Sequence, residues 1–316
     1  MMLSRVAESL YWMTRYMERA EDTSRLINAV TLMTLDMPAG AKFGWDALIK
    51  VTGLDHLFFD HYDEADEASV MRFLIRDERN PSSIMASITH ARENTRTFRE
   101  VLPWESWEWV NELYLYALEE LHGDLDRRKR FEVLQGIIRR RQSIVGLLVG
   151  TMSRDPAFLF LIMGRNMERA DMTSRILDVS HALILPSGVD DDLLWMNILK
   201  SLSAYQMYRR HVGVHAGSAN VIAFLLQELT FPRTVAHCLD EIADVLDELP
   251  NSGAVLDVVN MTRKMVAEVE GRALAKAGLH EFIDRIQIGL TEIHAALGLR
   301  YFRLPNPHIK AFQPEE

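Results

Sequence analysis

The sequence predicts an all-α fold, a tandem-duplicated helical bundle with two pseudo-symmetric halves. Apolar residues recur at helical spacing along most of the chain. No stretch alternates with period two for long, and turn dipeptides of the hairpin type are essentially absent. The third observation is a repeat. Arg15-Tyr16-Met17-Glu18-Arg19-Ala20-Glu21-Asp22-Thr23-Ser24-Arg25 returns 150 positions later as Arg165-Asn166-Met167-Glu168-Arg169-Ala170-Asp171-Met172-Thr173-Ser174-Arg175. Eight of the eleven positions are identical and a ninth exchanges Glu for Asp, so the chain reads as two copies of one unit.

The first helix is expected over 4–36, with Ser4 as its N-cap and Pro38-Ala39-Gly40 as its stop. A short helix follows over 45–52, then an acidic patch from His61 to Glu67 and a helix over 68–76. Asn80-Pro81 reads as a cap followed by proline at the first helical position, opening a helix over 81–100. Pro103 starts an aromatic-rich helix that ends near His122-Gly123, and 126–151 forms a long helix with basic clusters at 127–130 and 139–141. Asp155-Pro156 caps the second copy of the opening helix, which is expected to reach about Leu185 before Pro186-Ser187-Gly188. Trp195 to Lys200 then matches Trp45 to Lys50, and Phe224-Leu225-Leu226 with Pro232 matches Phe73-Leu74-Ile75 with Pro81. The repeats are accordingly placed at 1–150 and 151–304, with a poorly ordered proline-rich tail at 305–316.

A chain of 316 residues, 48% apolar and 25% charged, has the composition of a soluble globular protein. Its formal charge of −10 argues against a nucleic-acid binder, whose footprint is a basic surface. The lone cysteine, Cys238, leaves no internal disulfide to form and suits a reducing compartment. Charges interrupt the N-terminal run, so no secretory leader is read there, and no run approaches the ~20 apolar residues of a membrane helix. A cytoplasmic location is the expectation.

Arg15, Glu18, Asp22 and Arg25 fall on one strip of a helix, with Arg165, Glu168 and Arg175 on the same strip of the second copy. One reading is a polar pocket in which Arg15, Arg19, Arg25, Arg165, Arg169 and Arg175 grip a carboxylate or phosphate. The other is a set of interhelical ion pairs, with Glu18 and Glu168 each satisfying an arginine; such pairs fix which helix faces which. A second constellation is Arg92, Glu93, Asn94 and Arg96, which the second half does not keep. The 127–141 clusters read as a solvated face, with docking of an acidic partner as the alternative. No catalytic residue is assigned. Glu119 and His122 are the one pair with di-iron spacing, at a helix end, and neither a metal nor a cofactor is expected. An enzyme using Glu18 or Glu168 as general base is the competing reading. A carboxylate beside several arginines makes a poor base, so a non-catalytic role is preferred.

The segments 5–22, Ala91-Arg92-Glu93-Asn94-Thr95-Arg96 and 164–171, in that order, resemble the bacterial alpha-E family over nearly the whole chain. That resemblance implies a helical protein found with a circularly permuted ATP-grasp protein and a transglutaminase-like protein. It points to an assisting or binding subunit of an ATP-grasp amide-ligase or peptide-modification system. Such a subunit would grip an acidic peptide, metabolite or partner protein.

Overall fold

A computed structural model describes residues 4–37, 43–182 and 191–302. Among them every regular element is helical: α1 (Ser4–Asp36), α2 (Asp46–Thr52), α3 (Asp55–Phe59), α4 (Glu67–Ile75), α5 (Ile84–Thr97), α6 (Trp104–Glu120), α7 (Arg127–Thr151) and α8 (Pro156–Ala182). The remainder are α9 (Asp191–Ser201), α10 (Tyr205–His211), α11 (Ser218–Gln227), α12 (Val235–Glu248), α13 (Gly253–Glu268), α14 (Gly271–Leu274) and α15 (Leu279–Tyr301). A single 3-10 turn, Arg99–Val101, links α5 to α6. No described helix is long and apolar enough to cross a membrane.

Most helix starts follow from local chemistry. Asp126 accepts a hydrogen bond from the Lys129 amide (2.8 Å) at the head of α7, and the Asp155 carboxylate accepts from the Ala157 and Phe158 amides at the head of α8. Asp66 and Ser69 form a reciprocal capping box on α4. The expected start at Asn80-Pro81 is corrected. Ser83 caps α5, while Asn80 is buried and spends its amide on the Phe73 carbonyl (2.9 Å) and its carbonyl oxygen on the Ser82 amide. The proline thus lies in a turn that ties α4 to α5. The stops expected at Pro38-Ala39-Gly40 and Pro186-Ser187-Gly188, and the 305–316 tail, lie outside the described residues.

The two arginine-bearing helices are the centre of the bundle. α1 packs against α8, α5, α7 and α9, and α8 packs against α12, α15 and α2. Both are therefore enclosed on more sides than a surface helix. Leu10, Met13, Met17 and Ile27 of α1 join one continuous apolar core, but Tyr11, Glu18 and Glu21 are equally buried. The charged strip is a second interior face of the helix rather than its wet side. Gly164 of α8 lies against Tyr11 and Thr14 of α1, and Arg169 bonds Glu18 further along both, so the two helices run in the same direction. They approach closely at Gly164. A Cβ there would stand 2.5 Å from Thr14 Oγ1 and collide with the Tyr11 carbonyl oxygen.

Candidate functional site

At the α1–α8 contact the charges cross over. Arg19 donates to Glu168 from Nε (2.5 Å) and Nη2 (3.0 Å), and Arg15 Nε donates to Glu168 Oε2 (2.7 Å). In the opposite sense Arg169 Nε donates to Glu18 Oε1 (2.9 Å). Arg169 continues to the Pro232 carbonyl and Arg19 to the Ser82 hydroxyl (both 3.3 Å), so each arginine also ties α1 or α8 to the turn before α12 or α5. Arg15 lies over the Trp12 ring at 4.9 Å, and Tyr11 shares a 3.0 Å hydrogen bond with His294 Nδ1 of α15.

Two further arginines, Arg141 and Arg233, close the cluster. Arg141 of α7 pairs with Glu18 and, at 2.6 Å, with Glu21. Arg233, from the turn before α12, pairs with Glu18 (2.9 Å), Glu21 (3.0 Å) and Asp22. Arg25 reaches Glu21 within its own helix at 2.7 Å. Neither arginine was singled out from the sequence, and Arg141 corrects the reading of 127–141 as a solvated face. The signal was present: Arg141 continues the row Leu134, Ile137, Ile138, Ile144 and Leu148, all buried, at core spacing along α7. Arg130 is likewise buried. No periodicity could have exposed Arg233, which lies in a turn.

Glu18 and Glu168 are 0% and 1% exposed. Burial alone would raise their pKa values, but the arginines outweigh it and hold both below the usual carboxylate range. Carboxylates held ionised in this way are weak proton acceptors near neutral pH, which weighs against Glu18 or Glu168 as a general base. Asp22 is the exception. Burial, reinforced by Glu18 and Glu21, lifts it to about 7 in spite of Arg233, and its Oδ2 has no hydrogen-bond partner.

That displacement has a definite sign. A carboxyl lifted from 3.8 to about 7 keeps its proton in the folded chain where the unfolded chain has lost it. Its contribution to stability therefore declines as pH rises from about 4 to 7. Wild type is expected to lose stability relative to Asp22→Asn across that window, as read by urea denaturation at stepped pH. Parallel pH curves for the two proteins would refute the assignment.

Four buried carboxylates, Glu18, Glu21, Asp22 and Glu168, thus share six arginines, Arg15, Arg19, Arg25, Arg141, Arg169 and Arg233. The side chain of a seventh, Arg165, makes no hydrogen bond or ion pair among the described residues, and its Nε is enclosed and unpartnered. Burial, and then the neighbouring Arg169, lower it to about 10. Arg165 and Arg141 line one cavity of about 20 Å³ between α1, α7 and α8, together with Thr14 and the apolar side chains of Leu148, Phe158 and Leu161. That volume admits a water-sized group.

The other residues singled out from the sequence lie apart from this network. Arg175 pairs with Asp171 on α8 at 2.9 Å. On α5, Arg92 donates to Asn111 of α6 (2.8 Å) and to Glu93 (2.8 Å), its guanidinium 4.6 Å from the Tyr114 ring centre, and Arg96 donates to Glu93 (2.9 Å). Asn94 is half-buried and makes no side-chain hydrogen bond among the described residues. This group is a surface cluster on the α5–α6 face. Among the described residues no three His, Cys, Asp or Glu side chains are grouped so as to hold a metal ion.

The model of the Alpha-E family, described as a predicted alpha-helical domain with a conserved ER motif, matches residues 2–302. The chain belongs to the Alpha-E family. Two of its Glu-Arg dipeptides, Glu18-Arg19 and Glu168-Arg169, are the pair that exchange charges between α1 and α8. This Alpha-E chain is also similar to uncharacterised proteins of Mycobacterium bovis and Mycobacterium tuberculosis, each 22% identical over 322 residues. The alignment covers 93% of this chain and 35% of each relative, so the Alpha-E chain spans about a third of their length. No solved structure matches it.

Proposed function

We propose that the chain is a non-catalytic assisting subunit of an ATP-grasp amide-ligase system, acting with a circularly permuted ATP-grasp protein and a transglutaminase-like protein. In this reading it receives the acidic group of a peptide, metabolite or partner protein at the arginines of α1 and α8. The observation that carries it is the unmatched, partly exposed side chain of Arg165, its Nε enclosed and unpartnered, in a cluster already richer in arginine than in carboxylate. A guanidinium with no anionic partner of its own is free to pair with a carboxylate that reaches it from solvent.

The proposal includes the doubling of an ancestral unit, with repeats at 1–150 and 151–304. The crossed pairs support it, because Arg169 serves Glu18 at a separation of 151 and Arg19 serves Glu168 at 149. Under that symmetry Arg165 corresponds to Arg15 and Glu18 to Glu168. Glu18, however, is already taken by Arg141, Arg169 and Arg233, so Arg165 is left over.

The test pairs the purified chain with a circularly permuted ATP-grasp protein from the same organism. The expected results are no ATP turnover by the chain alone, complex formation by calorimetry, and binding weakened about tenfold by Arg165→Met, the worth of one charge-assisted contact. Robust ATP or amide turnover by the chain alone would overturn the reading, as would undiminished binding by Arg165→Met.

A further inference from the structure

A second basic site lies at the opposite end of α7 from Arg165. The cavity between α4, the end of α6 and the start of α7 measures about 390 Å³, within the size range of small-ligand pockets. Met71, Ile75, Leu121 and Leu125 are among its apolar lining. Four arginines line it as well: Arg72 and Arg76 of α4, and Arg127 and Arg130 of α7. Each couple already holds a carboxylate. Glu67 accepts from Arg127 Nε (2.9 Å) and Arg130 Nη2 (2.6 Å), while Asp124 accepts from Arg76 Nη2 (2.6 Å) and stands 3.5 Å from Arg72.

The two carboxylates differ in how firmly they are seated. Glu67 is 25% exposed and faces an Arg130 side chain that is only 5% exposed. Asp124 is 76% exposed, on the turn that follows Gly123, whose φ of +75° is open to glycine. The Arg72 side chain, 48% exposed, makes no hydrogen bond among the described residues and has only Asp124 at 3.5 Å. The cavity is thus under-supplied with acceptors, and one of the two it has is held loosely. Exposed ion pairs of this kind are weak and readily exchanged. A carboxylate offering two parallel acceptor oxygens to a guanidinium is the better partner.

We propose that this cavity binds a carboxylate-rich peptide segment, with Asp124 occupying the position of one ligand carboxylate until the segment displaces it. The site is independent of Arg165 and of the α1–α8 cluster. Its recognition chemistry is two guanidinium couples above an apolar floor, matched to acidic side chains on a short aliphatic stem.

The experiment titrates the full chain with acetylated tetraglutamate by calorimetry at low ionic strength, with pyrophosphate as a parallel probe. Tetraglutamate is expected to bind and to weaken as salt is raised. Arg76→Gln should reduce that binding about tenfold, the loss of one charge-assisted contact. Asp124→Asn should tighten it, because the resident competitor is gone; a purely structural Asp124 would not produce that gain. Arg165→Met should leave it unchanged, which separates this site from the one under the proposed function. Melting curves accompany each variant, and Arg72→Gln repeats the test should Arg76→Gln fail to fold. Absence of tetraglutamate binding in both wild type and Asp124→Asn overturns the proposal. So does binding of pyrophosphate alone, or tetraglutamate affinity indifferent to both arginine substitutions.

Discussion

Replacing Glu18 by Gln is expected to destabilise the fold by about 3–5 kcal/mol, the range for removing one member of a buried ion pair. Three guanidiniums converge on this side chain, from α7, α8 and the turn before α12. Arg141 and Arg233 would keep Glu21, but Arg169 would lose its one carboxylate among the described residues. The size of the loss comes from the positive charge left behind in an enclosed site, not from the intrinsic strength of the bonds. Adding Arg169→Met to Glu18→Gln should therefore recover part of the deficit, although it also deletes the hydrogen bond to the Pro232 carbonyl. Urea denaturation of the four proteins of that cycle supplies the check. As a control, Glu93→Gln removes a carboxylate 44% exposed that also serves two arginines, and it should stay within ~1 kcal/mol of wild type. Equal stability of Glu18→Gln and Glu93→Gln would rule out the buried network as the organising contact.

Gly164→Ala should be nearly as damaging, although it adds only a methyl group. Its Cβ would overlap the Tyr11 carbonyl, and the Thr14 hydroxyl is 2.5 Å away, so α1 and α8 must separate. Backbone cannot move aside as a flexible side chain can. The ion pairs of Arg15, Arg19 and Arg169 begin one to two helical turns further along and depend on that separation. Overpacking of a tight core contact costs about 1–3 kcal/mol, and stretching the charge-assisted bonds adds to it. A fall in Tm on the order of 5 °C or more is the expected result. Gly146→Ala on α7, where an added Cβ meets nothing within 4 Å, should instead be neutral or slightly stabilising. Identical melting of Gly164→Ala and wild type would mean that the close approach does not set the spacing of the two helices.

Helical periodicity was enough to read the all-α class and most helix boundaries from α1 to α7, because caps such as Asp126 and Asp155 act through residues a few positions away. The repeated Arg-Glu strip was legible for a different reason: identical charges in two places have no local packing explanation. What the strip touches was not legible in full. Arg141 looked like one of a run of surface arginines because runs of like charge are usually solvated, yet its neighbours at core spacing are all apolar. Arg233 and Asn80 depend on turns whose geometry is set by contacts far along the chain. The cavity beside Arg130 is made by three elements and leaves no signature in any one of them.

The crossed charges also bear on how the molecule is made. Glu168 draws both of its arginines from α1, so on its own the later part of the chain would carry this carboxylate without either of its partners. Glu18 has Arg141 from the earlier part, but it waits for α8 and the turn before α12 to deliver Arg169 and Arg233. During synthesis the leading segment therefore leaves the ribosome electrostatically incomplete, and its central helix is finished only when residues about 150 positions later arrive. Contacts so distant along the chain form late and make maturation slow. Cutting the polypeptide between α7 and α8 would release two partners that mature together, not two domains that mature alone.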